Sequence, residues 1–200
     1  MRDQFRTISG PSQGQYKQKG SKFFAFAFPV STEAEIKDHL AILKKQYHDA
    51  RHHCFAWRLG AEMERYRVND GGEPSGSAGN PIFGQIQSRE LSNVLVVVIR
   101  YFGGTLLGVG GLINAYRSAA SEALDDSKII EEKVHTLLEL RFDYARLNEV
   151  MKIIKDFHLE FYDQHFDMQC TLKLKIWIRI SSAVMAKFSI IEGCEMEEVE

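Results

Sequence analysis

Hydrophobic and polar positions change period several times along this chain, most sharply between Asn93 and Leu124. Val94-Leu95-Val96-Val97-Val98-Ile99 is an apolar run without alternation, the pattern of a short strand buried on both faces. Arg100 and Tyr101 follow, then five glycines within nine residues: Gly103, Gly104, Gly108, Gly110 and Gly111. From Leu112 the period becomes helical. Leu112, Ala115, Tyr116, Ala119, Ala120 and Ala123 fall on one helix face, and four of the six are alanine, so that face can lie close against a sheet. The stretch predicts strand, glycine loop, helix.

The same reading applied elsewhere predicts the remaining elements. Phe5 to Ser9 reads as a first strand, with turns at Gly10-Pro11 and Gly14. Phe24, Phe26 and Phe28 alternate within a second strand that begins at Lys22. Thr32 and Glu35 have capping-box spacing, and Ile36, Leu40, Leu43 and Tyr47 continue one face of the helix behind them. A polar corner, His48 to His53, leads into a strand ending at Leu59, with Arg65–Val68 as its hairpin partner. Asn69 through Gly79 interrupts all periodicity. Asn80 and Pro81 then suit the N-cap and first position of a helix carrying Ile82, Phe83 and Ile86.

After Asp125-Asp126-Ser127-Lys128 the order predicts β-α-β-β-α-β: a strand 134–142, a helix capped by Asp143, a hairpin 159–166 and 170–180, a helix 181–190 and a strand 194–199. That is the split βαβ, ferredoxin-like order. The fold class is α+β in two domains, 1–130 and 131–200.

Composition narrows the function classes. The chain of 200 residues is 44% hydrophobic and 26% charged, ordinary for a globular protein. No run approaches 18 apolar residues and the amino terminus lacks an apolar h-region, so a cytoplasmic protein without membrane association is expected. Three distant cysteines give neither a disulfide framework nor a CxxC metal pair. A formal net charge of −2 argues against gripping nucleic acid by bulk charge. The charge is uneven, however: residues 1–128 carry 16 basic against 13 acidic side chains, and residues 129–200 carry 9 against 14. A polyanion would meet the first part.

Candidate chemistry gathers on the loops. Glycine lets backbone N–H groups approach a ligand, and the orphan N–H groups and dipole at the start of the following helix favour an anion. Arg100 adds a full charge. The nucleotide fingerprints do not fit: Val109 stands where a P-loop needs lysine, and Ile113 where a dinucleotide loop needs its third glycine. Ser75 lacks the flanking glycines of a nucleophile elbow, having Glu73 and Ser77 instead. Asp70 and Glu73 read either as an acid/base or metal pair, or as carboxylates that hold loop N–H groups and pair with Arg51 or Arg100. His48 and His52 have metal-pair spacing, but their corner is not helical and no third ligand stands near. No metal and no cofactor is assigned.

Taken together, Lys22-Phe23, Asp49-Ala50-Arg51-His52, Asp70 through Gly79, Arg100-Tyr101-Phe102-Gly103-Gly104 and Leu107-Gly108-Val109-Gly110-Gly111-Leu112 resemble the IMPACT/YigZ family over about residues 15–125. The resemblance implies a first domain like domain 2 of ribosomal protein S5 and a ferredoxin-like second domain. It also implies association with RNA or the ribosome and a role in translation regulation. The eukaryotic namesake opposes a stress kinase through an additional amino-terminal domain, for which this chain has no room, so the kinase role is not expected. Ser77, Asn114 and His53 depart from the family's usual threonine, arginine and asparagine.

Two readings follow. In the first, a binding module contacts RNA phosphates through Lys22, Arg51, His52, Arg100 and the glycine loop, with Tyr101 or Phe102 stacking on bases and Asp70, Glu73 and Ser75 lining the same cleft. In the second, a small enzyme acts on a phosphorylated or nucleotide substrate, with Asp70 and Glu73 in proton or metal work. Converging carboxylates in a closed site would favour the enzyme.

Overall fold

The computed structural model describes residues 2–199. The chain divides into two compact units, Phe5–Glu132 and a second made of Lys133 onward with the amino-terminal residues up to Gln4.

The first unit runs β1 (Gln4–Ile8), β2 (Ser12–Gln18), β3 (Ser21–Pro29), α1 (Glu33–Gln46), β4 (His52–Leu59), β5 (Arg65–Asn69), α2 (Gly79–Ser88), β6 (Val94–Tyr101), α3 (Gly108–Asp125) and β7 (Ile129–Lys133). β1 and β7 form a two-stranded ribbon; the main sheet has the order β2-β3-β6-β4-β5. Every pairing in that sheet is antiparallel, although a continuous apolar run is more usual in parallel sheets.

The position of β6 explains its composition. It is the middle strand, and its alternate residues serve two cores. Val94, Val96 and Val98 face α2 and α3, packing with Ile82, Ile86, Tyr116 and Ala119. Leu95, Val97 and Ile99 face α1 and pack with Ile36, Leu43 and Trp57. A strand buried on both sides has no wet face to alternate with.

Two local expectations change. Gly14 lies within β2 rather than in a turn. A Cβ there would stand 2.4 Å from the Ala123 nitrogen, so its missing side chain is the space through which the alanine face of α3 passes. Asn80 and Pro81 lie inside α2, whose N-cap is Ala78 with no side-chain cap of its own. The α1 cap forms as the spacing predicts: Thr32 Oγ1 accepts from Glu35 N at 3.2 Å, and Glu35 reaches back to Ser31 N at 2.7 Å.

The second unit runs β8 (His135–Asp143), a 3-10 turn (Tyr144–Arg146), α4 (Leu147–Asp156), β9 (Glu160–His165), β10 (Gln169–Trp177), α5 (Ile178–Phe188) and β11 (Glu195–Val199). Its sheet order is β11-β8-β10-β9, all antiparallel. Leu138, Leu140, Phe142, Leu172, Leu174 and Ile176 face α4 and α5. Asp143 ends β8 and makes no side-chain capping bond. The alternation through Ile178 and Ile180 does not continue the strand, because α5 begins at Ile178; over so few β-branched residues the two periods cannot be told apart.

Candidate functional site

Strand alternation decides which predicted residues meet. His52 on β4 is paired in register with Arg100 on β6, and both side chains stand on the α3 side of the sheet. Glu73, from the loop after β5, joins them. Its Oε1 accepts from Arg100 Nη1 at 2.7 Å and from the Tyr116 hydroxyl at 2.8 Å, and lies 4.0 Å from His52 Nε2. Both side chains of the Glu73–Arg100 pair are buried. Arg100 also donates to Ser21 Oγ at 3.4 Å and covers the Phe23 ring, while its Nε is buried without a hydrogen bond.

This network floors a cleft of about 470 Å³. Arg51, His52, Glu73 and Arg100 line its polar end; Phe102, Leu106, Leu107, Val109 and Leu112 form an apolar wall. Gly108 and Val109, also in the lining, are the first residues of α3, whose N-cap Leu107 supplies no side-chain cap. Arg51 is exposed, and Phe102 is 52% exposed.

Electrostatics separates the two carboxylates. Asp70 Oδ1 accepts from Ala78 N and Gly79 N at 3.0 and 2.8 Å, and Oδ2 from Gly76 N at 2.9 Å. Burial pushes its carboxyl up, but the Gly76, Gly79 and Ala78 N–H groups outweigh burial and hold it below the ordinary aspartate value. Asp70 is thus the missing cap of α2, supplied from across the loop. Among the described residues no three metal-ligating side chains converge.

His52 is oriented by the Gly71 carbonyl, 3.0 Å from Nδ1. A carbonyl only accepts, so Nδ1 carries the proton and Nε2 is turned toward Glu73. Neighbouring Cys54 is fully buried, donates to the Asp70 carbonyl at 3.0 Å, and is pushed up to about 12 by burial; it is no nucleophile.

The remaining predicted residues scatter. Tyr101 and Lys22 face the α1 side, opposite Arg100, and line a separate hollow with Phe24, Tyr47 and Asp49. The Tyr101 hydroxyl donates to Asp49 Oδ1 at 2.6 Å, a bond that raises its own pKa to about 12. It therefore does not reach the cleft, and Phe102 is the aromatic ring there. Ser75 is exposed and lines none of the described cavities. Gly103 serves packing: a Cβ there would lie 1.9 Å from the Gly20 carbonyl carbon, and its N–H bonds Ser21 Oγ at 3.2 Å. Gly104 has a positive φ, and nothing stands within 4 Å of a Cβ at Gly104, Gly108 or Gly110, whereas Gly111 abuts Leu107.

Sequence reasoning missed Tyr116 and the leucine wall. The signal for Tyr116 was available: a hydroxyl on an otherwise alanine and leucine face must find a partner when buried.

Residues 19–124 match the Impact N-terminal domain. IMPACT family member YvyE of Bacillus subtilis is 32% identical over 160 residues, 80% of this chain and 74% of that one. YigZ of Escherichia coli is 31% identical over 138 residues, 68% of each chain. The Protein IMPACT homolog of Saccharomyces cerevisiae is 35% identical over 95 residues, 45% of this chain and 36% of that one. A crystal structure described only as that of a hypothetical protein covers 100% of this chain and 99% of its own at a TM-score of 0.78 and 24% identity, a likeness of fold. With a domain match over more than half its length and bacterial relatives above 30% identity along most of it, this chain belongs to the IMPACT family.

Proposed function

We propose that this chain is a cytoplasmic RNA-associated protein whose cleft holds one backbone phosphate at the start of α3 and lays a base against Phe102. One observation carries the reading. The uncapped amino terminus of an 18-residue helix opens into a cleft bordered by the exposed Arg51. Free N–H groups and the helix dipole favour negative charge there, and a half-exposed aromatic ring beside a phosphate position suits a stacked base. Because Arg100 is committed to Glu73, the phosphate contact passes to Arg51. With Nδ1 held by the Gly71 carbonyl, His52 presents Nε2 to the cleft as one acceptor for one hydroxyl, which suits ribose better than deoxyribose. Association with the translation machinery and a regulatory role there are what family membership adds to this proposal.

The test is a titration of ¹⁵N-labelled protein with a short single-stranded RNA. The amides of Gly108, Val109, Gly110 and Gly111 should shift saturably, more for RNA than for DNA of the same sequence. Amides that stay in place at saturating RNA would remove the reading.

An enzyme on a phosphorylated substrate remains the second reading, favoured by one feature: His52 is anchored through Nδ1 and presents Nε2 to the cleft, the posture of a general acid or base. Release of phosphate from a panel of nucleotides, abolished by His52→Gln, would support it over binding alone.

A further inference from the structure

A second cavity, of about 440 Å³, lies on the other face of the sheet, between the carboxyl end of α1 and the start of β4. Leu40, Ala50, Phe55 and Gly71 line it together with four basic side chains: Lys44, His48, Arg51 and His53. No carboxylate is in the lining. The nearest acid in sequence, Asp49, is turned to the Tyr101 hydroxyl. We propose that this basic cavity is a phosphate-binding subsite, distinct from the cleft at α3.

The charges support an anion even against the helix that ends there. The carboxyl terminus of α1 contributes about half a negative charge, while Lys44 and Arg51 bring two full positive charges that form no ion pair among the described residues. Lys44 also sits in the last turn of α1, where it offsets the dipole directly. His53 provides a second, geometric indication: its Nε2 is buried and has no hydrogen-bond partner, and a buried polar atom without a partner calls for one. Burial holds His53 below the ordinary imidazole value; the Tyr47 carbonyl, second to burial, pulls upward, and the charges of Lys44 and His52 add smaller downward pushes. A bound anion reverses that balance by favouring the protonated ring.

Arg51 borders both this cavity and the cleft. The phosphate can therefore come from the backbone of a strand that crosses Arg51, or from a free phosphate compound. The chemistry is the same, and the experiment separates the sources.

The full chain, ¹⁵N-labelled, is titrated with sodium phosphate against sodium chloride at equal ionic strength, and the imidazole nitrogens are followed. The His48 and His53 signals should move together and saturate, while His39, which stacks on Phe28, stays. Lys44→Glu should weaken the response about tenfold; Lys37→Glu, the same charge change two turns earlier on α1, should not. A short single-stranded RNA that moves the same two signals identifies backbone phosphate as the source. RNA that leaves them still while phosphate moves them identifies a free phosphate compound. Neither ligand moving them, or Lys37→Glu weakening phosphate as much as Lys44→Glu, overturns the subsite. The RNA reading of the cleft is read separately, at the amides of residues 108–111.

Discussion

Glu73 and Arg100 meet at 2.7 Å with side chains only 4% and 6% exposed. They come from a loop and a central strand 27 residues apart, and the pair ties the Asp70–Gly79 loop to the sheet beneath the cleft. The stability of this pair lies in its completeness. Tyr116 and Ser21 supply further hydrogen bonds, which a buried ion pair needs to offset desolvation.

Glu73→Ala should therefore destabilise the protein by about 3–5 kcal/mol, since it leaves Arg100 buried without its counter-charge. Replacing both partners by apolar residues, Glu73→Leu with Arg100→Met, should recover a substantial part. Urea denaturation of the two variants measures this. A single substitution that costs less than about 1 kcal/mol would mean that the pair is solvated after all.

Asp70 gives the loop a pH dependence of definite sign. Its folded pKa is depressed, so its stabilisation is complete above the ordinary aspartate value of about 3.9 and is lost as pH falls through the folded value. Asp70→Asn should lower stability at pH 7 by about 1–3 kcal/mol, because its amide NH2 would face the Gly76 N–H that Oδ2 now accepts and leave that donor unpaired. Its unfolding free energy should also fall less steeply below pH 4 than that of the parent. Parallel acid-unfolding curves for the two proteins would contradict the assignment.

The glycines divide by what surrounds them. Gly103→Ala drives a methyl into the Gly20–Ser21 backbone and should cost more than the roughly 1–3 kcal/mol of ordinary overpacking, because backbone cannot rotate away. Gly110→Ala enters open space within α3 and should gain about 0.5–1 kcal/mol. Thermal melts of both variants check the pair; equal effects would refute the distinction between packing glycine and free glycine.

Much of the fold was legible because each element carries one unmixed signal. The unbroken Val94–Ile99 run, the alanine face of α3 and the Thr32–Glu35 cap are local patterns with local causes, and the structure realises each. The site was less legible because its assembly depends on which way a strand residue points. Arg100 and Tyr101 are neighbours in sequence yet face opposite sides of the sheet, so a motif read as one cluster splits into two hollows. Asp70 read either as chemistry or as a holder of loop N–H groups, and it does the second; Gly14 looked like a turn and makes room for α3. Gly79 lies nine residues from Asp70 across a loop without period, and Ala123 lies far along the chain from Gly14, so periodicity gives no information about either partner.

The proposed RNA cleft is tested most directly by fluorescence anisotropy of a labelled single-stranded RNA from low to moderate salt, comparing the parent with Arg51→Ala and Arg146→Ala. The parent should bind with a shallow salt dependence, about −0.7 in log K against log salt for each phosphate neutralised. Arg51→Ala should weaken binding and flatten that slope by roughly one such step. Arg146, paired with Glu149 and Glu192 in the second unit, should leave both unchanged when substituted. Binding by Arg51→Ala with the parent's affinity and slope, or the absence of any salt-sensitive binding by the parent, would contradict the RNA assignment of this cleft.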